Sequence, residues 1–242
     1  MSLNNLASFL GDVGDGQGAL APAQEAVNIH RRFALGNRAA FEPDLAMSLS
    51  TLSNRRSDVG DRQGALTPAQ EAVSIYRRLA LHNLAAFEPY LATSLTNLAN
   101  RMGDVGNRQG ALAPAQESVS IYRRLAQVSP AACEPNLAMS LNNLAGCMSG
   151  VGNRQGALAP AQEAVSTYRR LALANSEAYG PRLAMSLGMY MRCFRAAGDV
   201  TKAKTSGEEA LVLFTRLSVE NPAMFERYKE AMARELAELA EY

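Results

Sequence analysis

This chain of 242 residues has no tryptophan, only two histidines (His30 and His82), three cysteines, and three lysines (Lys202, Lys204 and Lys229). Each shortage excludes something. So few histidines and cysteines, dispersed as they are, do not supply the clustered ligands of a zinc site or a Cys/His nucleophile pair. No Gly-rich phosphate loop or nucleophile elbow is present either, so no catalytic, metal or cofactor residue is expected. An odd and small number of cysteines cannot form a disulfide framework. Cys147 and Cys193 stand at equivalent helix positions, and neighbouring helices are about 8–10 Å apart, beyond disulfide reach. All three therefore read as reduced thiols, as in a cytoplasmic protein. No apolar run is long enough to cross a membrane, and no signal peptide is evident. The net charge of +1 creates no field toward nucleic acid or an acidic membrane. Arginine in place of lysine reads as coding bias more readily than as anion recognition.

What the chain has is repetition. Met1-Ser2-Leu3 recurs as Met47-Ser48-Leu49, Thr93-Ser94-Leu95, Met139-Ser140-Leu141 and Met185-Ser186-Leu187, a constant spacing of 46 residues. A fixed period of this size signals an array whose units stack on their neighbours. The hydrophobic content of 48%, mostly Ala and Leu, suits close helix packing. The expected fold is an all-α solenoid, treated as one domain. It has repeats at 1–46, 47–92, 93–138, 139–184 and 185–221, and a capping helix at 222–242.

Each unit reads as two helices, A and B. In the second unit Pro43 suits the first turn of helix A, with Phe41 before it as a hydrophobic staple. Leu45, Ala46, Leu49, Leu52 and Val59 follow at helical spacing. Gly60 ends the helix in a left-handed cap and Asp61 caps helix B, whose buried face is Ala65, Ala69, Ala72, Val73, Tyr76 and Leu79. A loop from Leu81 to Glu88 leads to the next proline. Pro22, Pro68, Pro114 and Pro160 lie deep in the B helices, each four residues after a glycine (Gly18, Gly64, Gly110, Gly156). A bend or break on the convex side is expected at each. The fifth unit, with Ser206 and Lys202 at those places, should run straight.

The first unit starts inside helix A, leaving Leu3, Leu6 and Leu10 without a preceding repeat to cover them. Self-association through that edge is expected. The fifth unit keeps Gly198, Asp199, Ala203, Ala210 and Phe214 but loses the arginine pair. In the last helix Phe225, Tyr228, Met232, Leu236 and Leu239 share one face.

These features resemble tetratricopeptide repeats. Leu52-Ser53, Gly60, Ala65 and Ala72 stand where that family has its helix crossing, its interhelical glycine and its helix B alanines. The usual unit is about 34 residues, and the excess here falls to helix B and the loop after it. Leu-Asn-Asn-Leu-Ala at 3–7 and 141–145 resembles kinesin light chain repeats. It also resembles bacterial arrays fused to signalling ATPase or caspase-like domains. The resemblance implies a right-handed superhelix and a non-catalytic scaffold that binds a protein or extended peptide on its concave helix A face. The alternative it implies is the ligand-sensing part of a larger signalling or defence protein.

On that face stand Met47, Ser50, Thr51, Asn54 and Asp58, with Asn4, Asn5, Asn97, Asn100, Asn142 and Asn143 at related places. An amide side chain offers a donor and an acceptor, matching a peptide group. The arginine pairs Arg31-Arg32, Arg77-Arg78, Arg123-Arg124 and Arg169-Arg170 could form a basic ladder for nucleic acid. Pairing with Glu25, Glu71, Glu117 and Glu163, together with helix-dipole compensation, accounts for them better.

Overall fold

A computed structural model describes residues 2–240. Met1, and Glu241 and Tyr242 of the expected capping helix, lie outside the described residues. Eleven helices and no strand occur among the described residues. The A helices are α1 (Leu3–Asp12), α3 (Arg38–Asp58), α5 (Leu84–Asp104), α7 (Pro130–Gly150), α9 (Ser176–Ala197) and α11 (Pro222–Ala240). The B helices are α2 (Gly16–Gly36), α4 (Arg62–His82), α6 (Arg108–Val128), α8 (Leu158–Ala174) and α10 (Val200–Glu220). They form two compact units, one ending at Ile121 and the other starting at Tyr122.

The A-to-B turn forms as its residues dictate. Gly60 adopts φ +82°, where a side chain would be strained, and the glycines at 14, 106, 152 and 198 do the same. Asp61 then caps α4, its Oδ1 accepting from the Gly64 N–H at 2.9 Å. A methyl group built on Gly64 would lie 2.0 Å from that carboxylate, so the glycine lets the cap fold over the helix end. In the fifth unit Lys202 takes that place and still donates to Asp199 at 3.0 Å, so the cap tolerates a side chain.

The B-to-A connection is shorter than the sequence suggests. A single residue, Asn83, separates α4 from α5, and its side chain accepts from the Ala86 N–H at 3.1 Å. Asn37 and Asn175 act the same way on Ala40 and Ala178. Helix A therefore starts at Arg38, and Pro43 lies in its second turn, not its first. The loop expected from Leu81 to Glu88 is helical except at Asn83, and His82 is the last residue of α4. Phe41 is not a staple ahead of the helix; it packs on Phe33 of α2, ring centres 5.1 Å apart. The residues beyond a standard unit thus lengthen both helices, and α3 and α4 each have 21 residues.

The prolines disturb less than their chemistry suggests. α2, α4 and α6 run unbroken through Pro22, Pro68 and Pro114. Pro68 leaves the Gly64 carbonyl without its helical donor, and Arg56 Nη1 fills the vacancy at 2.9 Å. Pro68 and Pro114 are buried instead of facing outward. Only α8 is altered: residues 154–157 form turns, and the Leu158 N–H bonds Gln155, three residues back. α10, without proline, is continuous, as expected.

The buried faces follow the period. The six core positions expected in α4 are all buried, and so are Ala203, Ala210 and Phe214 of α10. Leu3, Leu6 and Leu10 are half-buried, not an open edge; in this region Phe9 and Val13 are the exposed apolar side chains. α11 is more than a cap. Asn221 caps it as Asn37 caps α3, and Tyr228 stacks on Phe214 at 5.7 Å as Tyr90 stacks on Tyr76 at 5.6 Å. Its cap and its stacked ring thus repeat those of the earlier A helices.

Candidate peptide-binding face

In the first unit α1 packs beside α3, and α3 beside α5, while α7 packs beside α9 in the second. The B helices are bridged by long side chains. Arg31 reaches Glu71 at 2.5 Å, and Arg77 bonds Glu117. In the second unit Arg123 bonds Glu163, and Arg169 bonds Glu209 at 2.7 Å. The A helices thus form the tighter layer within each unit.

The first arginine of each pair is therefore neutralised by the following B helix. In two of the pairs the second closes its own hairpin: Arg78 bonds Glu42 at 2.7 Å, and Arg170 bonds Glu134 at 2.7 Å. The glutamate before the A-helix proline has the role of holding this arginine. Its spacing from the arginine, 36 residues in both cases, was the available signal. Glu42 is only 7% exposed. Burial, the largest influence, pushes its pKa up; hydrogen bonds from Arg78 and Arg38 outweigh it and hold the carboxyl below its usual range.

Along the A helices, Met-Ser-Leu resolves into three environments. Leu49, Leu95, Leu141 and Leu187 are core, and Ser48, Ser94, Ser140 and Ser186 are buried beside them. Met47 and Met185 are exposed. Ser48 is a junction. Its hydroxyl donates to the Asp44 carbonyl at 2.9 Å, Asn4 Nδ2 donates to it at 2.9 Å, and His30 Nδ1 lies 2.7 Å away. His30 is thus a packing residue of helix B, as its place in the tyrosine series indicates.

This arrangement separates the ten expected groove residues. Asn4 is buried against Ser48, with its Oδ1 unpartnered, and Asn142 accepts from Ser186 at 3.0 Å. Both are used in hydrogen bonds between neighbouring A helices. Ser50 turns back on the Ala46 carbonyl at 3.0 Å. Asn54, Asn97 and Asn100 are half-buried on α3 and α5, and their side chains bond nothing among the described residues. Thr51 lies beside them; Met47 and Asn5 are exposed. Asn143 is half-buried on α7 in the second unit.

Next to this stripe the sequence reading passed over a pair of arginines. Arg55 and Arg101 have side chains only 13% and 14% exposed, each with an aspartate, Asp58 or Asp104, 3.2 Å from Nε. Neither Nε has hydrogen-bond geometry, so the attraction is between charges. Arg55 Nη1 reaches the Ser8 carbonyl at 3.4 Å. Asp58 is thus an ion-pair partner as well as a face residue. In the second unit the position belongs to Cys147 and Cys193. Burial raises both thiol pKa values, that of Cys193 to about 11, so both stay protonated near neutrality. All three cysteines are free thiols. No trio of His, Cys, Asp or Glu among the described residues could hold a metal, and no described helix is long and apolar enough to cross a membrane.

Stacked antiparallel pairs, with glycine at the inner turn and alanine at the crossings, define a helical-repeat protein. The chain belongs to the tetratricopeptide repeat family, whose sequence model matches residues 1–32, 45–80, 91–129 and 137–176, more than half its length. A Q17M variant of a putative kinesin light chain with nearly identical TPR-like repeats, from Podosopora anserina, is similar in structure. Its TM-score is 0.67 at 19% identity, over 90% of this chain and 95% of that one. BtubC (BKLC) from P. vanneervenii gives 0.61 at 21%, over 91% and 89%. A Rap protein complexed with competence and sporulation factor gives 0.59 at 14%, over 98% and 64%. At these identities the likeness is one of fold. Comparison with curated proteins gives no match.

Proposed function

We propose that the protein is a non-catalytic scaffold whose helix A face holds an extended segment of a partner protein. The observation that carries this reading is the set of unpartnered amides, Asn54, Asn97 and Asn100, on two adjacent helices of the first unit. An amide in a half-buried place without an internal partner is poised to bond a peptide group, which presents the complementary donor and acceptor. Tetratricopeptide repeats serve commonly as interaction scaffolds, and the structurally similar Rap protein was solved with a bound factor. Asn143 is a half-buried amide of the same kind on α7, within the second unit. The free thiols suit a reducing, cytoplasmic setting.

The test is capture of partners by the wild-type chain and by a variant with Asn54, Asn97 and Asn100 all changed to Ala. Each lost hydrogen bond should weaken a captured partner by about 0.5–1.5 kcal/mol. Undiminished affinity in the triple variant, with its fold intact by circular dichroism, would remove this face as the seat.

A further inference from the structure

Away from the A face, a cavity of about 410 Å³ opens between α2, α3 and α4. Its floor is apolar: Ala34, Leu45 and Ile75 line it, and all three are buried. Its rim includes Leu35, 84% exposed, an aliphatic side chain with nothing covering it. Three guanidinium groups surround the opening, those of Arg31, Arg38 and Arg78, against two carboxylates, Glu42 and Glu71. Both carboxylates are taken. Glu71 holds Arg31 at 2.5 Å, and Glu42 is shared by Arg78 at 2.7 Å and Arg38 Nε at 2.8 Å. One positive charge is left over. Arg38 carries it outward: its side chain is 70% exposed, and its Nη groups donate to nothing among the described residues.

Arg38 is not a copy. The equivalent positions, 46 residues apart, are Leu84, Pro130, Ser176 and Pro222. The second unit has a comparable cavity of about 360 Å³ between α9 and α10, with the charge reversed. There Ser176 replaces Arg38 and Gly180 replaces Glu42, and the single arginine, Arg216, faces Glu177 and Glu220. The two cavities, at related places, thus carry opposite sign.

We infer that the α2/α3/α4 cavity is a second seat for a peptide segment, one bearing an aliphatic side chain beside a carboxylate. The side chain rests on Ala34, Leu45 and Ile75 and covers Leu35, removing apolar surface from water. The carboxylate takes the spare Nη donors of Arg38, a charge-assisted contact that favours guanidinium over ammonium. This inference does not depend on the A-face reading, because it uses neither those helix faces nor those amides.

The probe is the acetylated, amidated hexapeptide Asp-Leu-Glu-Asp-Leu-Glu, titrated into the full chain in low salt while backbone amide resonances are followed. Asp-Ser-Glu-Asp-Ser-Glu and Lys-Leu-Lys-Lys-Leu-Lys serve as controls. Only the first should saturate, moving the resonances of Leu35, Arg38 and Ser74. Arg38→Leu installs the residue of the following unit and should weaken it by about fivefold. The Asn54/Asn97/Asn100 alanine variant should bind this probe as the wild type does. An Arg38→Leu variant binding equally well would overturn the inference. So would shifts centred on α5, equal saturation by the serine peptide, or no saturation at all.

Discussion

At the scale of single residues, the fifth unit shows how one departure is absorbed by another. Met191 stands where the other units carry Ala7, Ser53, Ala99 and Ala145, and Gly207 stands where they carry Ala23, Ala69, Ala115 and Ala161. A methyl group built on Gly207 would lie 2.6 Å from Met191 Sδ and 2.7 Å from Leu236 Cδ2, so the glycine is the space the larger side chains occupy. Gly207→Ala should overpack this point and lower stability by about 1–3 kcal/mol in chemical denaturation. Adding Met191→Ala should recover part of the loss; a neutral single substitution would show that the packing yields. Glu42 makes a different prediction. Its folded pKa is depressed, so its stabilising contribution is fully present above the ordinary glutamate value. That contribution is lost as pH falls through the lower folded value. Glu42→Gln should therefore be less stable than wild type near neutrality, and the two curves should converge in acid. Parallel curves down to the lowest pH would disprove the assignment.

At the scale of helices, Arg77 and Arg78 have unequal roles. Arg77 and Glu117 meet in solvent, where such a pair contributes about 0.2–1 kcal/mol and is screened by salt. Arg78 holds a nearly buried carboxylate, and its loss leaves that charge poorly compensated. Arg78→Ala should thus cost about 1–3 kcal/mol, and Arg77→Ala clearly less, with only the latter cost fading in high salt. Equal costs at both would refute the distinction. The pairing of Arg77 with Glu117 could be read from charge spacing. So could the glycine turn, the helix B core and the aspartate caps, because each depends on near neighbours or on the period. The start of helix A could not. Proline is tolerated in a first turn, and the neighbouring small residues suggested a loop, so the capping role of Asn37 was hidden. The fates of Asn4 and Asn142 were also illegible, since a polar residue between adjacent helices has the same spacing as one facing water. The hydrogen bond that Arg56, on another helix, gives the Gly64 carbonyl freed by Pro68 is likewise one that no local pattern displays.

At the scale of the molecule, units that touch only their neighbours should lose stability locally. Gly60→Ala forces a side chain into φ +82° at a cost of about 1–2 kcal/mol. Amide hydrogen exchange should then quicken in α3 and α4 far more than in α9 and α10. A uniform loss of protection along the chain would mean that the array unfolds as one block. The junctions have a further consequence. One residue joins each of α2, α4 and α6 to the next A helix, and the turn after α3 leaves only Val59, Gly60 and Asp61 outside the helices. There is no slack at either place. A single inserted residue would swing the following helix by about 100°, carrying its alanine face toward water. Gains and losses of a few residues, which ordinary proteins absorb in their loops, are closed to this one. Its length can change cheaply only in steps of a full period, so lengthening by the copying of entire segments is the inheritance such a chain can tolerate.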